Sequence, residues 1–113
     1  MARGINMWGG AGNVGGDILF GETNGGDLVC NYLLFAEDRM GKVTRVRCNV
    51  YGPLVEICRK RLKRGCYVAI EGSLMNRSDG SEAIEVRCET IVFVPGGRHE
   101  RKEEEPREDG ECG

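Results

Sequence analysis

Residues 43–64 read VTRVRCNVYGPLVEICRKRLKR, and they hold the decisive change of period in the chain. From Val43 to Tyr51 the side chains alternate: Thr44, Val46, Cys48 and Val50 fall on one face, while Arg45, Arg47, Asn49 and Tyr51 fall on the other. This predicts a strand with an apolar inner face, backed by two arginines, an amide and a tyrosine. Such a display suits nucleic-acid binding, although a solvated strand face shows the same alternation. Gly52-Pro53 breaks the strand, and Pro53 suits a helix first turn, where its missing N–H is not needed. Leu54, Ile57, Cys58 and Leu62 then recur at helical spacing, with Gly65 as the stop, which predicts one helix of about three turns. Its end carries Arg59, Lys60, Arg61, Lys63 and Arg64. Cations there meet the negative end of the helix dipole, and phosphate contact is a second reading.

On the N-terminal side, Ile5–Val14 mixes Met7 and Trp8 with Gly9, Gly10 and Gly12, which predicts a bent strand that Ile18–Phe20 continues weakly. Glycines inside a strand permit the sharp coiling that small barrels need in a strand serving both sheets. Glu22–Asp27 is a turn around Asn24-Gly25, Leu28–Phe35 (LVCNYLLF) is a second strand, and Glu37–Lys42 is a polar connection. On the C-terminal side follow a strand at Cys66–Met75, a hairpin turn at Asn76–Ser81 and a last strand at Ala83–Val94. In the last strand Ile84, Val86, Cys88, Val92 and Val94 alternate with Glu85, Arg87, Glu89 and Phe93. Three strands, one helix and two strands is the order of an OB-fold: all-β with one helix, a five-stranded Greek-key barrel with the helix between strands three and four. An open α+β sheet has similar content; short strands and the glycine-bent first strand favour the barrel. OB-folds bind oligonucleotides or oligosaccharides across one face and its flanking loops, though a fold alone does not establish a function.

With 113 residues, 40% of them hydrophobic, the chain fits one small domain, residues 1–95, followed by a tail, residues 96–113, expected to be disordered and acidic. The net charge of -2 is unevenly distributed. Residues 1–98 carry 13 basic and 11 acidic side chains, whereas residues 99–113 carry 3 basic and 7 acidic ones. The folded part is therefore mildly basic. No apolar run approaches a membrane span and no basic-then-apolar leader opens the chain, so an unexported, cytoplasmic protein is expected. The six cysteines, Cys30, Cys48, Cys58, Cys66, Cys88 and Cys112, form no C-x2-C pair, and the single histidine, His99, lies in the tail. No metal site and no cofactor are expected, and buried reduced thiols are the simpler use of the cysteines. An enzyme is not expected either: the core has no Ser/His or Cys/His pair and no phosphate loop.

Several motifs carry a resemblance. ARGIN at Ala2–Asn6, GN-x-G-x-D at Gly12–Asp17, NGG-x3-CN at Asn24–Asn31, YG-x-LVEIC at Tyr51–Cys58 and L-x-RG-x-YVAIEGSL at Leu62–Leu74 resemble bacterial single-stranded-DNA-binding protein across roughly residues 2–94. The resemblance implies sequence-nonspecific binding of single-stranded DNA in replication, recombination or repair, by a nucleoid-associated homotetramer, a dimer of dimers. It also implies a basic groove along the phosphates with aromatic rings on which bases stack. The chain departs from the pattern: where the family has stacking tryptophans it has Arg45 on the third strand and Asp79 in the last hairpin, leaving Tyr51 as the matched platform. Weaker, more salt-sensitive binding follows. The basic positions carried over as phosphate contacts are Arg3, Arg47, Lys63, Arg64 and Arg77, and the guanidinium plane of Arg45 is expected to stack on bases in partial replacement of the lost ring. Met7, Trp8 and Val46 are the expected subunit contacts, Trp8 having a base-stacking role as its alternative. The tail ends EDGECG and lacks the family's acidic-hydrophobic tip, so recruitment of replication enzymes through it is not expected. Two alternatives stand beside the leading expectation: an accessory, primosome-type OB-fold acting mainly through protein partners, and an OB-fold that prefers RNA.

Overall fold

A computed structural model describes residues 4–77 and 79–95. Arg3 and the tail expected at 96–113 lie outside the described residues. Five strands and one helix follow in the expected order: β1 (Trp8–Glu22), β2 (Leu28–Glu37), β3 (Val43–Tyr51), α1 (Leu54–Arg61), β4 (Tyr67–Asn76) and β5 (Ile84–Phe93). They close into a barrel in the order β1-β2-β3-β5-β4, with the helix between β3 and β4, which is the OB-fold. Closure leaves a parallel contact of only two pairs between β3 and β5, Cys48 with Val86 and Asn49 with Arg87.

The first strand is one 15-residue element rather than a strand with a weak continuation. Its first half pairs with β4 (Trp8–Asn13) and its second with β2 (Asn13–Glu22), so one strand serves both sheets. Two glycines make this possible. At Gly12 a Cβ would collide with the Phe35 carbonyl oxygen, and Gly16 takes φ +68 where the β1–β2 register shifts between Gly15 and Leu19.

The helix is shorter than its spacing predicts, eight residues or about two turns. Pro53 is its N-cap, and its buried positions are Val55 and Cys58, with Leu62 beyond its end; Ile57, expected in the core, is 43% exposed. The chain leaves the helix at Leu62, which turns extended (φ -78, ψ 121) so that its side chain enters the barrel. Gly65, expected as the stop, instead supplies the φ +94 turn that leads into β4.

The alternation in β5 also breaks. Its inward residues are Val86, Cys88 and Phe93, while Val92 is 54% exposed. A register irregularity opposite Glu71 and Gly72, where Thr90 and Cys88 are the partners, inserts one residue and flips the rest of the strand. The core that results contains five buried cysteines, four of them thiols that act as small apolar residues. Cys30, Cys48, Cys58 and Cys88 are free thiols. Burial pushes Cys48 up to about 12 and Cys88 up to about 11, while the hydrogen bond between Cys30 and Cys58 lowers Cys30 and raises Cys58. Tyr32 lies among them, its hydroxyl donating to Cys88 Sγ at 3.7 Å and held protonated by burial.

Candidate nucleic-acid interface

Across the outer face of β2 and β3, Asn31 stands opposite Asn49 and Val29 opposite Tyr51. The parallel register sets Arg87 of β5 beside Asn49, and the β4–β5 pairing sets Glu85 beside Met75. Over this face the β1–β2 turn and the β4–β5 hairpin rise as two walls. They enclose a cleft of about 360 Å³ whose lining includes Glu22 and Thr23 on one wall, Arg77 and Asp79 on the other, and Asn31, Arg47, Asn49, Tyr51 and Glu85 on the floor. This is the strand 2–3 surface between flanking loops on which OB-folds hold oligonucleotides.

A connected polar chain forms the floor. Asn49 was expected on the exposed face with Arg45, Arg47 and Tyr51; it is 3% exposed. It is buried because β5 runs beside it and brings Glu85 into reach: Asn49 Nδ2 donates to Glu85 Oε1 at 2.6 Å. Asn31 Nδ2 in turn donates to Asn49 Oδ1. The other carboxylate oxygen, Glu85 Oε2, pairs with Arg47 Nε at 3.7 Å and Arg77 Nε at 3.4 Å, and Arg77 also reaches Asp79 Oδ2 at 3.4 Å. A carboxylate with its side chain only 11% exposed is costly unless compensated, and here an amide and two guanidinium groups compensate it. Arg87 lies over the Tyr51 ring, 5.1 Å from its centroid.

The fold therefore brings Arg47, Tyr51 and Arg77 together and leaves the other sequence-predicted contacts elsewhere. Arg45 lines a second cavity, and Lys63 and Arg64 are exposed in the turn between α1 and β4. None of these three has an ion pair among the described residues. Close to that turn, Arg59 stacks on Phe20 at 4.8 Å and Arg61 on Phe93 at 4.5 Å. The second cavity, about 480 Å³, opens between β3 and the β4–β5 hairpin and is lined mainly by apolar groups, among them Trp8, Val46, Leu74 and Ile84. Trp8 is half-buried there, its ring lying over Gly10 and packed against the core; Val46 is half-buried and Met7 is 67% exposed. Asn6 ties the N-terminal segment to this end, its Nδ2 donating to the Leu74 carbonyl at 2.9 Å and its Oδ1 accepting from Leu74 N–H at 2.8 Å.

Glu85, Asn31 and Arg87 are the participants that the sequence did not single out. The proximity of Glu85 and Arg87 to Arg47 and Tyr51 depends on the parallel β3–β5 register, for which no local pattern exists, and that of Asn31 on the antiparallel β2–β3 pairing. Among the described residues no group of three or more His, Cys, Asp or Glu is placed to hold a metal ion, and no helix is long and apolar enough to cross a membrane.

Comparison with known proteins adds to this geometry. Residues 11–94 match the family model described as the Single-strand binding protein family, a non-enzymatic DNA-binding family. A search of curated proteins found no match. A match across nearly the whole barrel, on a fold whose cleft lies where oligonucleotides bind, establishes that the chain belongs to the single-strand binding protein family, binds single-stranded DNA and is not an enzyme.

Proposed function

We propose that this protein binds and protects single-stranded DNA without strict sequence preference during replication, recombination or repair. The observation that carries the proposal is the cleft over β2 and β3, bounded by the β1–β2 and β4–β5 turns and floored by Tyr51 and Arg47. Tyr51 provides the stacking ring. Arg45, Lys63 and Arg64, which have no ion pair among the described residues, provide phosphate contacts, and Arg47 and Arg77 frame the cleft. Arg3, outside the described residues, belongs to the same proposed set. The working unit is the barrel of residues 1–95 with its acidic extension 96–113, acting in the cytoplasm on the nucleoid.

The apolar cavity between β3 and the β4–β5 hairpin supports a homo-oligomer, a dimer of dimers, through Met7, Trp8 and Val46. Exposed Ile5 and Ile84 extend that apolar surface, and patches of this kind mark association sites. The same surface favours a second reading, an accessory OB-fold working through protein partners.

Titration of fluorescent oligo-dT at about 20 and about 300 mM salt, with duplex and oligo-rU as competitors, tests the proposal. Tight binding with a steep salt slope and little duplex competition is expected. Stronger competition by oligo-rU than by unlabelled oligo-dT indicates the RNA-preferring alternative. No binding at the lower salt overturns the proposal and favours protein partners.

A further inference from the structure

Cys66 stands apart from the other cysteines of the core. Cys30, Cys48, Cys58 and Cys88 are free thiols, whereas Cys66 is disulfide-bonded. A single chain is present and its sequence holds six cysteines, so Cys112, next to the last residue, is the cysteine left to pair with it.

The fold starts the tail beside this partner. Val94 N–H donates at 3.0 Å to the carbonyl of Tyr67, the residue that follows Cys66, and Phe93 lies under the guanidinium of Arg61 at 4.5 Å. The chain therefore leaves the barrel at the turn that carries Cys66. From Pro95 to Cys112 it runs 17 residues, an extended reach of about 55 Å, which is ample for a return to that turn.

The turn is also the most cationic part of the surface. Arg59, Lys60, Arg61, Lys63 and Arg64 are all exposed, and among the described residues the one carboxylate paired with them is Glu56, 4.0 Å from Arg59. Cys66 Sγ lies within this cluster, accepting the backbone N–H of Lys63 at 3.3 Å. Residues 99–113 carry 7 acidic against 3 basic side chains, so the segment that must reach Cys66 has the complementary charge.

We infer that residues 96–113 dock over the cationic turn between α1 and β4 and are fastened there by a disulfide between Cys66 and Cys112. The fastening makes the docking redox-controlled. Closure is thiol–disulfide exchange with a low-molecular-weight disulfide such as oxidised glutathione. The Cys112 thiolate attacks one glutathione sulfur and the other half leaves as thiol; the Cys66 thiolate then attacks Cys112 Sγ and expels the second glutathione. Two protein thiols are oxidised, one glutathione disulfide is reduced, and the two protons end on the released thiols. A disulfide in a cytoplasmic protein is typically of this transient, redox-sensing kind. The closure does not depend on the single-stranded-DNA reading; its effect on binding does, because it covers Lys63 and Arg64.

The test is peptide mapping of the full chain after equilibration with oxidised glutathione, alkylation in denaturant and digestion with trypsin. GCYVAIEGSLMNR (residues 65–77) joined to EDGECG (residues 108–113) is expected, and dithiothreitol should separate the two. Alkylated Cys66 in the oxidised protein, or Cys66 joined to a second chain, overturns the inference. Docking is read by acetylation of Lys60 and Lys63 with a succinimidyl ester. It should slow in the oxidised protein and recover on reduction, whereas Cys112→Ser, which keeps every tail carboxylate, should react alike in both states. A linked peptide with unchanged acetylation overturns the docking. In oligo-dT titrations the closed form is expected to show a salt slope flatter by up to about 1.4 than the reduced form, with no redox effect in Cys112→Ser. Equal slopes refute the covering of Lys63 and Arg64. Should neither form bind oligo-dT, the single-strand reading fails, and the peptide map and acetylation still decide the closure.

Discussion

Replacing Tyr51 by alanine separates stacking from charge, and the structure bounds its size. The ring is half-buried at the end of β3, and Arg87 already occupies one of its faces at 5.1 Å. One base at most can therefore stack on it. A stacked base contributes about 1 to 3 kcal/mol, so Tyr51→Ala is expected to weaken oligo-dT binding about 5- to 150-fold. Because no charge is removed, the slope of log affinity against log salt should stay the same and the line should only drop. Tyr51→Phe keeps the ring and is expected to remain within about 2-fold of wild type. The assay is fluorescence anisotropy with oligo-dT over a salt series, with a circular-dichroism melt of each variant to confirm folding. An unchanged affinity in folded Tyr51→Ala would refute the assignment of stacking to this ring, and a loss that vanishes at high salt would show an electrostatic contribution instead.

Three further outcomes can be checked. Lys63→Gln with Arg64→Gln should flatten the salt slope by about 1.4 if both side chains touch phosphate, and an unchanged slope removes them from the track. Leu34 is fully buried in the barrel, so Leu34→Ala should cost about 2 to 5 kcal/mol in urea denaturation; a loss below about 1 kcal/mol would mean that the core is not packed as described. Cys48 and Cys88, raised from 9.0 to about 12 and about 11, stabilise the fold fully below pH 9, and that contribution is lost as pH rises toward 11 and 12. The melting temperature should therefore fall through this window more steeply than in a Cys48→Ala/Cys88→Ala variant, and parallel curves would contradict the assignment.

The strand over Val43–Tyr51 coincides with its sequence-predicted bounds, because strict alternation and the Gly52-Pro53 break are local signals. The barrel topology was legible for the same reason: element order and turn glycines leave few ways of closing five short strands around one helix. The cleft was legible only in part. Arg47, Tyr51 and Arg77 were found as charged or aromatic residues on the right elements, yet both arginines pair with Glu85, which no spacing rule connects to them.

By itself the sequence determined what depends on near neighbours: strand and helix periods, the positions of turns, the single-barrel organisation and the family motifs. The tertiary structure decided everything that depends on register. One bulge, in β5, flipped faces that simple alternation would have kept, so Val92 points outward and Phe93 inward. The helix stopped early because Leu62 was needed inside the barrel. Asn49 went from a surface amide to a buried link, because two parallel pairs between β3 and β5 bring Glu85 against it. Period 2 gives every strand two faces, but which residues meet across a barrel is settled only when strands distant in the chain take up their pairing.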